Sequence, residues 1–256
     1  MPLSLMLNPG EAHILVAHPG HELLLHGWIC RTKPVVHVLT DGSGHSAAAR
    51  LDATAELLRD AWARAGAIFG RLSDREAYAM ILERNTALLF SIVAELAAAM
   101  EAQRPAMVVG DAAEGYNPVH DLCRLMAGAA IALAGADTAQ YEYAVVARPD
   151  SFDEVNIELD DAEYAAKMSR ARRYAATLPD VDELLSRHGA AAYRHERLRR
   201  VVDWTDVGSG PPPLYERFGE ERVAAHRYAR VIRRAEHLVP LRDALCAEME
   251  KRACAF

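Results

Sequence analysis

Two imidazoles and a carboxylate follow the first apolar run of this sequence within five positions. The run is His13-Ile14-Leu15-Val16, and the segment directly after it reads AHPGHE, residues 17–22. Imidazole nitrogens and carboxylate oxygens are common zinc ligands in proteins. The segment therefore indicates either half of a metal site or a polar loop that only happens to contain histidines.

Two further apolar runs are followed by polar loops. The segment TDGSGH, residues 40–45, follows one run, and DAAEGYNPVHD, residues 111–121, follows the other. A single loop of this kind is more often solvated or caps a helix, but the strand ends of a parallel sheet converge at one edge, where ligands bind. Together the three loops predict a metal or catalytic site. Its candidate residues are His18, His21, Glu22, Asp41, His45, Asp111, Asn117, His120 and Asp121.

Short apolar runs alternate with long helical patterns, which is typical of an α/β protein with a Rossmann-like, mostly parallel sheet flanked by helices. Strands are predicted at residues 13–17, 34–39, 106–111, 140–147 and 155–160. Helices are predicted at residues 22–30, 46–65, 74–103, 117–133, 160–178 and 219–254.

One linker-like stretch, VGSGPPPLYE at residues 207–216, contains three consecutive prolines that oppose regular structure. We therefore predict an α/β domain over residues 1–206. A Pro-rich linker and a helical C-terminal extension follow over residues 207–256 and pack on the core or on a partner chain. Through these helices the chain could form a homo-oligomer.

The composition argues against several classes of partner. The chain of 256 residues has a formal net charge of −7, which is unlike a nucleic-acid-binding surface. No apolar stretch approaches the length of a membrane span, no signal peptide is evident, and the four cysteines suggest no disulfide framework. We expect a cytoplasmic protein with a small-molecule substrate, no nucleic-acid partner and no membrane partner.

ILVAHPGHE, residues 14–22, resembles the first motif of the LmbE-like, or PIG-L, metal-dependent N-acetylglucosamine deacetylases, which usually reads AHPDDE after a strand and binds zinc. GYNPVHD, residues 115–121, is similar to the second motif, usually HPDH. VLTDGSG, residues 38–44, falls where the family carries a Thr-x-Gly loop, and residues 156–171 resemble a later strand and Lys-containing helix. The resemblance extends over residues 10–175 of this chain.

The resemblance implies a set of metal ligands. The family's first and last metal-binding histidines correspond to His18 and His120, and an aspartate ligand of the family falls on His21. Three imidazoles suit Zn²⁺ with an open coordination position, and Fe²⁺ or another divalent ion is compatible with the same ligands. Because imidazole is neutral, the pKa of a water on this metal should be lower than with a carboxylate ligand.

Other positions depart from the family pattern. The position of the family's general base is Gly20, the His that supports the oxyanion is replaced by Asn117, and a neighbouring Asp is replaced by Val119. Asn117 could still donate a hydrogen bond to an oxyanion. A hydrolase would need another carboxylate as base; the candidates are Glu22, Asp41, Asp111 and Asp121.

Among these candidates we favour Asp111, because it precedes the loop that carries His120, and Asp41 also lies at a strand end. Glu22 is expected to hold its loop, with Asp121 as a second supporting residue. His45 could act as a base, a fourth ligand, a substrate contact or simply a residue near a helix N-terminus.

Arg50 could bind a hydroxyl-rich or anionic substrate, although the family's substrate-binding Arg falls nearer Thr54. The expected activity is hydrolysis of an N-acyl amide on an amino-sugar-like substrate. The alternatives are a protein that binds metal and ligand without this hydrolysis, a different metal-dependent reaction, and a chain that binds no metal.

Overall fold

A computed structural model describes residues 11–44, 49–148, 151–152, 154–175 and 186–253. In the described part of the chain, seven strands form one sheet in the order β3-β2-β1-β4-β5-β7-β6. The strands are β1 Ala12–Val16, β2 Val35–Thr40, β3 Arg64–Leu72, β4 Met107–Asp111, β5 Ala139–Tyr143, β6 Val155–Glu158 and β7 His195–Arg200.

Helices cover both faces of this sheet. The α-helices are α1 His26–Thr32, α2 Leu51–Ala61, α3 Asp74–Leu82, α4 Thr86–Gln103, α5 Pro118–Ala134, α6 Asp161–Ala175, α7 Leu214–Ala224 and α8 Val239–Ala253. A 3-10 helix, His21–Leu25, precedes α1, and a π-helical turn, Arg234–Leu238, precedes α8. The predicted α/β class with a mostly parallel sheet is confirmed.

The central strand β1 has parallel neighbours on both sides. His13 of β1 pairs with Val35 of β2 on one side and with Val108 of β4 on the other. All residues of β1, β2 and β4 are buried, as expected for strands covered on both faces. The chain order reverses between β1 and β4, and this is the point in such sheets where a crevice opens for ligands.

The sequence pattern does not predict strand β3. It predicts one helix over residues 46–65, but α2 ends at Ala61 and β3 begins at Arg64. This strand lies at the edge of the sheet, most of its residues are not buried, and it contains two glycines, so it lacks the apolar run that marks the inner strands.

Two long predicted helices are each divided in two. The helix expected over residues 74–103 breaks at Arg84, whose φ is 50°, and restarts with Asn85 as the N-cap residue of α4. The helix expected over residues 219–254 is divided between α7 and α8. In addition, α7 starts at Leu214, inside the predicted linker, because a helix can begin directly after a proline.

The C-terminal extension shares the core of the sheet domain. Tyr215, Ile232 and Leu241 belong to the same buried cluster as residues of α4 and α5. By length and composition, α4 could cross a membrane, but one of its faces packs in this cluster. The boundary between two domains at residue 206 stays a prediction.

A buried ion pair fixes helix α1 behind the first loop. Lys167 of α6 donates to Glu196 Oε1 at 2.8 Å and to the carbonyl of Leu24 at 2.6 Å. The Glu196 carboxylate also accepts hydrogen bonds from the backbone N–H groups of Gly27 and Trp28 at the start of α1. These contacts connect α1, α6 and β7, and they set the position of the loop that begins after β1.

Candidate metal centre

Glu22 holds the loop after β1 in place through hydrogen bonds. Gly20 has a φ of 102°, a conformation that favours glycine, and its N–H donates to Glu22 Oε2 at 2.8 Å. Glu22 Oε1 accepts from the hydroxyls of Thr54 at 2.7 Å and Tyr174 at 2.6 Å. Glu22 thus links the loop to α2, which carries Thr54, and to α6, which carries Tyr174.

Three imidazoles meet at the carboxyl ends of β1 and β4. The ring centroids of His18 and His21 are 5.3 Å apart, those of His18 and His120 are 5.4 Å apart, and those of His21 and His120 are 4.7 Å apart. His120 lies in the first turn of α5, whose N-cap residue is Asn117. The structure therefore brings together the three predicted metal-binding residues.

Asp111 holds His21 in place. Its Oδ2 lies 2.8 Å from His21 Nδ1 and accepts the N–H of Ala17 at 2.8 Å, and its Oδ1 accepts the hydroxyl of Tyr143 at 3.1 Å. Burial raises the pKa of Asp111, but the charge and hydrogen bond of His21 and the charge of His120 outweigh burial and lower the pKa to about 2. A carboxylate so acidic and so fully bonded is suited to orienting a histidine and poorly suited to accepting a proton near pH 7.

His18 is held in the same way by Asp74, a residue that the sequence pattern does not single out. Its Nδ1 lies 3.0 Å from Asp74 Oδ1 and 2.8 Å from Thr40 Oγ1, and its Nε2 lies 3.2 Å from Asn117 Nδ2. Burial raises the pKa of Asp74, and contact with His18 lowers it by more, so the pKa lies below its usual value.

A signal for Asp74 does exist in the sequence. Ser73 and Glu76 form a capping box at the start of α3, and Asp74 is the first residue of that helix. The S-x-x-E pattern marks a helix N-terminus after a strand, which is where site residues of this fold class lie. Because the sequence pattern does not predict strand β3, it does not place Asp74 after a strand end.

His120 has a buried ring nitrogen that lacks a hydrogen-bond partner in the described part of the chain. Its Nδ1 is buried and has no hydrogen-bond partner among the described residues. Burial and the neighbouring charges of His21 and His18 keep the pKa of His120 well below its usual value, although Asp111 raises it. For His21, burial lowers the pKa, but the charge and hydrogen bond of Asp111 and the charges of Glu22 and Glu114 together raise it above its usual value. His120 is therefore neutral near pH 7, as a metal-binding imidazole must be.

The most compact group of possible ligand atoms includes Asp111. One ligand atom from each of His21, Asp111 and His120 lies within 4.8 Å of the others. His18 stands beside this group, with protein partners on both of its ring nitrogens. Among the described residues, the distances thus bring His21, Asp111 and His120 close enough to share an ion, and a set with His18 in place of Asp111 stays a prediction.

The other candidate residues lie around this centre. Asp41 Oδ1 accepts from the N–H of Ser43 at 2.9 Å and closes its own turn, and the backbone N–H of Arg50 donates to the carbonyl of Asp41 at 2.7 Å. A Cβ at Gly44 would stand 3.9 Å from Arg50 Nη2, so this guanidinium lies beside the loop after β2. His45 lies outside the described residues.

Asp121 supports the loop between β4 and α5. Its Oδ1 accepts from the N–H of Gly115 at 3.2 Å. Burial, which outweighs this hydrogen bond, raises the pKa of Asp121 to about 7. The side chain lines a cavity of about 450 Å³, together with charged residues that include Glu114 and Arg234.

Known structures share this architecture. The conserved protein TT1542 from Thermus thermophilus superposes with a TM-score of 0.53 and 17% identity, covering 77% of this chain and 95% of that chain. Two structures of teicoplanin deacetylase, one a complex and one a zinc-inhibited form, each have a TM-score of 0.49 and 12% identity and cover 75% of this chain and 99% of theirs. No family model and no curated protein matches the sequence. The sheet order, the three loops at its carboxyl edge and the likeness to TT1542 together show that the chain has an LmbE-like fold.

Proposed function

We propose that this protein is a metal-dependent hydrolase that cleaves an N-acyl amide on a small, amino-sugar-like substrate. In this proposal Zn²⁺ is held by His18, His21 and His120. The observation that carries it is the arrangement of these three imidazoles, two of which are each held at Nδ1 by a carboxylate. Metal-binding histidines commonly contact carboxylates with the nitrogen that does not bind the metal.

The donor set fits a divalent metal of this kind. Neutral imidazole is a preferred zinc ligand, and the buried, unpartnered Nδ1 of His120 marks a polar site that still needs a partner. When bound, the metal would polarise the amide carbonyl and activate a water molecule for attack.

Asp74 and Asp111 set the protonation of the two histidines that they contact. Each accepts from an Nδ1 atom, so the proton stays on Nδ1 and the Nε2 lone pair is left available. For His18 the same assignment follows independently, because the amide of Asn117 donates to Nε2. A metal bound to His18 would take the place of this hydrogen bond on the single Nε2 lone pair. We therefore assign Asp111 to positioning rather than to the ligand set or to proton transfer.

Asn117 is suited to stabilise negative charge on the substrate. Its Oδ1 accepts from the N–H of Val119 at 2.9 Å, which fixes the orientation of the amide. The amide nitrogen carries two hydrogens, and a metal on His18 Nε2 would release the one now directed at that atom, so the amide could donate to a developing oxyanion.

A second candidate function is binding of metal and ligand without amide hydrolysis. Gly20 occupies the position at which the resemblance expects a base, and Asp111 and Glu22 each already accept three hydrogen bonds. None of these observations supplies a proton acceptor, and for this reason metal binding and turnover have to be measured separately.

The first experiment is elemental analysis of protein purified without added metal and without a metal-binding tag. The comparison is a His18→Ala/His120→Ala double variant, with His195→Ala as a control on the distant strand β7. About one equivalent of zinc or iron in the parent and in the control, and little in the double variant, supports the metal site. Release of acid from acylated amino sugars then supports hydrolysis, and metal without turnover supports the second function. No metal in the parent, even after reconstitution, overturns both.

A further inference from the structure

The cavity of about 450 Å³ that Asp121 lines lies between the C-terminal extension and the loop after β4. The extension contributes residues 207–208 and 210–214 together with Arg234, and the loop contributes residues 113–115. Cavities that bind small molecules commonly measure about 300 to 1,000 Å³. Among the described residues that line this cavity there is none of the three imidazoles of the candidate metal centre, so the two sites are separate.

Arg234 supplies a positive charge to this cavity and has no acidic partner. Its Nη2 donates to the carbonyl of Pro211 at 3.0 Å and also to that of Gly210. In the described part of the chain, no carboxylate forms an ion pair with it, and no acceptor contacts its Nε or Nη1. A guanidinium carries five N–H donors, so Arg234 retains donors for a bound anion.

Asp121 supplies a negative charge to the same cavity and has no basic partner. The residue is only 6% exposed, and its Oδ1 accepts from the N–H of Gly115 at 3.2 Å. Its Oδ2 accepts no hydrogen bond from the described residues, and none of their cationic groups forms an ion pair with it. A buried carboxylate without a cation is costly, so a bound cationic group would be stabilised here.

Tyr215 shows that these two charges lie close to each other. Burial raises the pKa of its hydroxyl most strongly, the charge of Asp121 raises it further, and that of Arg234 lowers it. The hydroxyl itself is buried and has no hydrogen-bond partner among the described residues. Arg234 and Asp121 are thus near one side chain, yet they do not pair with each other.

The other charged side chains of the lining are already bonded or exposed. Glu142 lies between two guanidinium groups, those of Arg124 and Arg199. The carboxylate of Glu114 accepts three backbone N–H groups, and Asp206 is exposed to solvent. The remaining positive and negative groups are therefore the opposite charges that a bound molecule can still pair.

Apolar surface completes the lining. Three consecutive prolines, residues 211–213, line the cavity together with Val207 and Leu214. Leu214 is 44% exposed, although its side chain is large and apolar. Contact with an aliphatic group would remove this surface from water, which is favourable.

We infer that this cavity binds an α-amino acid with an aliphatic side chain. The carboxylate of the ligand pairs with the guanidinium of Arg234, and its ammonium group pairs with the carboxylate of Asp121. Its side chain packs against Leu214 and the prolines. A zwitterion fits better than an ion of either sign, because a single charge would leave one of the two protein groups unpaired.

The test is calorimetric titration of the parent with L-leucine and with two analogues that each lack one charge. The analogues are 4-methylpentanoate, without the ammonium group, and 3-methylbutylamine, without the carboxylate. L-leucine should bind with a dissociation constant of about 0.1 to 10 mM, and each analogue should bind about tenfold or more weakly. Because amino acids also chelate zinc, the His18→Ala/His120→Ala variant is titrated too, and it should bind L-leucine as the parent does.

Two variants each remove one charge from the cavity. Arg234→Gln should bind L-leucine about tenfold more weakly and should no longer distinguish it from 3-methylbutylamine. Asp121→Asn should weaken binding to a similar extent and should no longer distinguish L-leucine from 4-methylpentanoate. Arg217→Gln is the matched control, because Arg217 is exposed on α7 and does not line the cavity. It should bind L-leucine as the parent does.

Four outcomes would overturn the proposal. The first is a parent that does not bind L-leucine, and the second is an analogue that binds the parent as tightly as L-leucine does. The third is binding that is unchanged in both Arg234→Gln and Asp121→Asn. The fourth is binding that disappears in the His18→Ala/His120→Ala variant, which would assign L-leucine to the metal centre. If the cavity variants do not fold, the three ligands on the parent and on the metal-site variant still decide, and none of these results depends on amide hydrolysis.

Discussion

Asp74 Oδ1 lies 3.0 Å from His18 Nδ1 and joins the loop after the central strand to a helix that starts 56 residues later. The other oxygen of Asp74 accepts from the backbone N–H of Gly44 at 2.6 Å. One carboxylate therefore orients an imidazole of the candidate metal centre and also holds the loop after β2 against it.

Replacing this carboxylate should weaken metal binding without unfolding the chain. In Asp74→Asn the neutral amide is a weaker acceptor for His18 Nδ1, so we expect the dissociation constant for zinc to rise about 10- to 100-fold. Zinc titration against a competing chelator measures this change. The control is Asp52→Asn, an exposed acidic residue in the first turn of α2. Equal zinc affinity in Asp74→Asn and the control would contradict the role of Asp74.

The importance of Asp74 shows how far the sequence could predict this site. Strands β1, β2 and β4 are buried on both faces, so each appears as an apolar run and the loop that follows it is easy to find. Strand β3 is an edge strand with a mixed pattern, so the sequence does not mark Asp74, which lies just after it, as a residue at a strand end.

The sequence could not predict the role of Asp111 either. Its position at a strand end was predicted, but a spacing does not show whether a carboxylate faces a water molecule or three protein donors. The hydrogen bonds from Ala17, Tyr143 and His21 depend on side-chain directions that only the folded chain defines.

Asp111→Asn tests positioning against base catalysis. If Asp111 orients His21, the variant should bind zinc about 10- to 100-fold more weakly and recover most of its turnover at saturating zinc. If Asp111 is the general base, turnover should stay lower by a factor of about 10² to 10⁴ even when the site is full. Steady-state rates measured over a range of zinc concentrations separate the two cases.

Glu22→Ala should destabilise the protein by about 3 kcal/mol, because it leaves buried hydroxyls of Thr54 and Tyr174 without their acceptor. Tyr174→Phe removes one donor and leaves the carboxylate with two, so it should cost about 1 to 2 kcal/mol. Urea unfolding of both variants gives these differences. If Glu22→Ala were no more costly than Tyr174→Phe, the loop would not depend on Glu22 in the way the contacts indicate.

Acid should destabilise the fold through a histidine pair in the sheet that lies outside the candidate site. His13 of β1 and His37 of β2 are fully buried, and their facing ring nitrogens are 3.4 Å apart. Burial lowers the pKa of His13 to about 4 and, together with the charge of His13, lowers that of His37 to about 3. In the unfolded chain both titrate near pH 6.5.

The unfolded state therefore binds more protons than the folded state below pH 6.5, and the free energy of unfolding falls as the pH falls through this range. At pH 5 each histidine should contribute a loss of about 2 kcal/mol relative to pH 8.

Urea unfolding of the parent and of His37→Leu at both pH values measures this loss. The difference between the two pH values should shrink by about 2 kcal/mol in His37→Leu. His195→Leu is the control, because His195 also lies in a strand but contacts Asn156 in an exposed position. In this variant the difference between the two pH values should equal that of the parent. An unchanged difference in His37→Leu would mean that His37 is not kept neutral by burial.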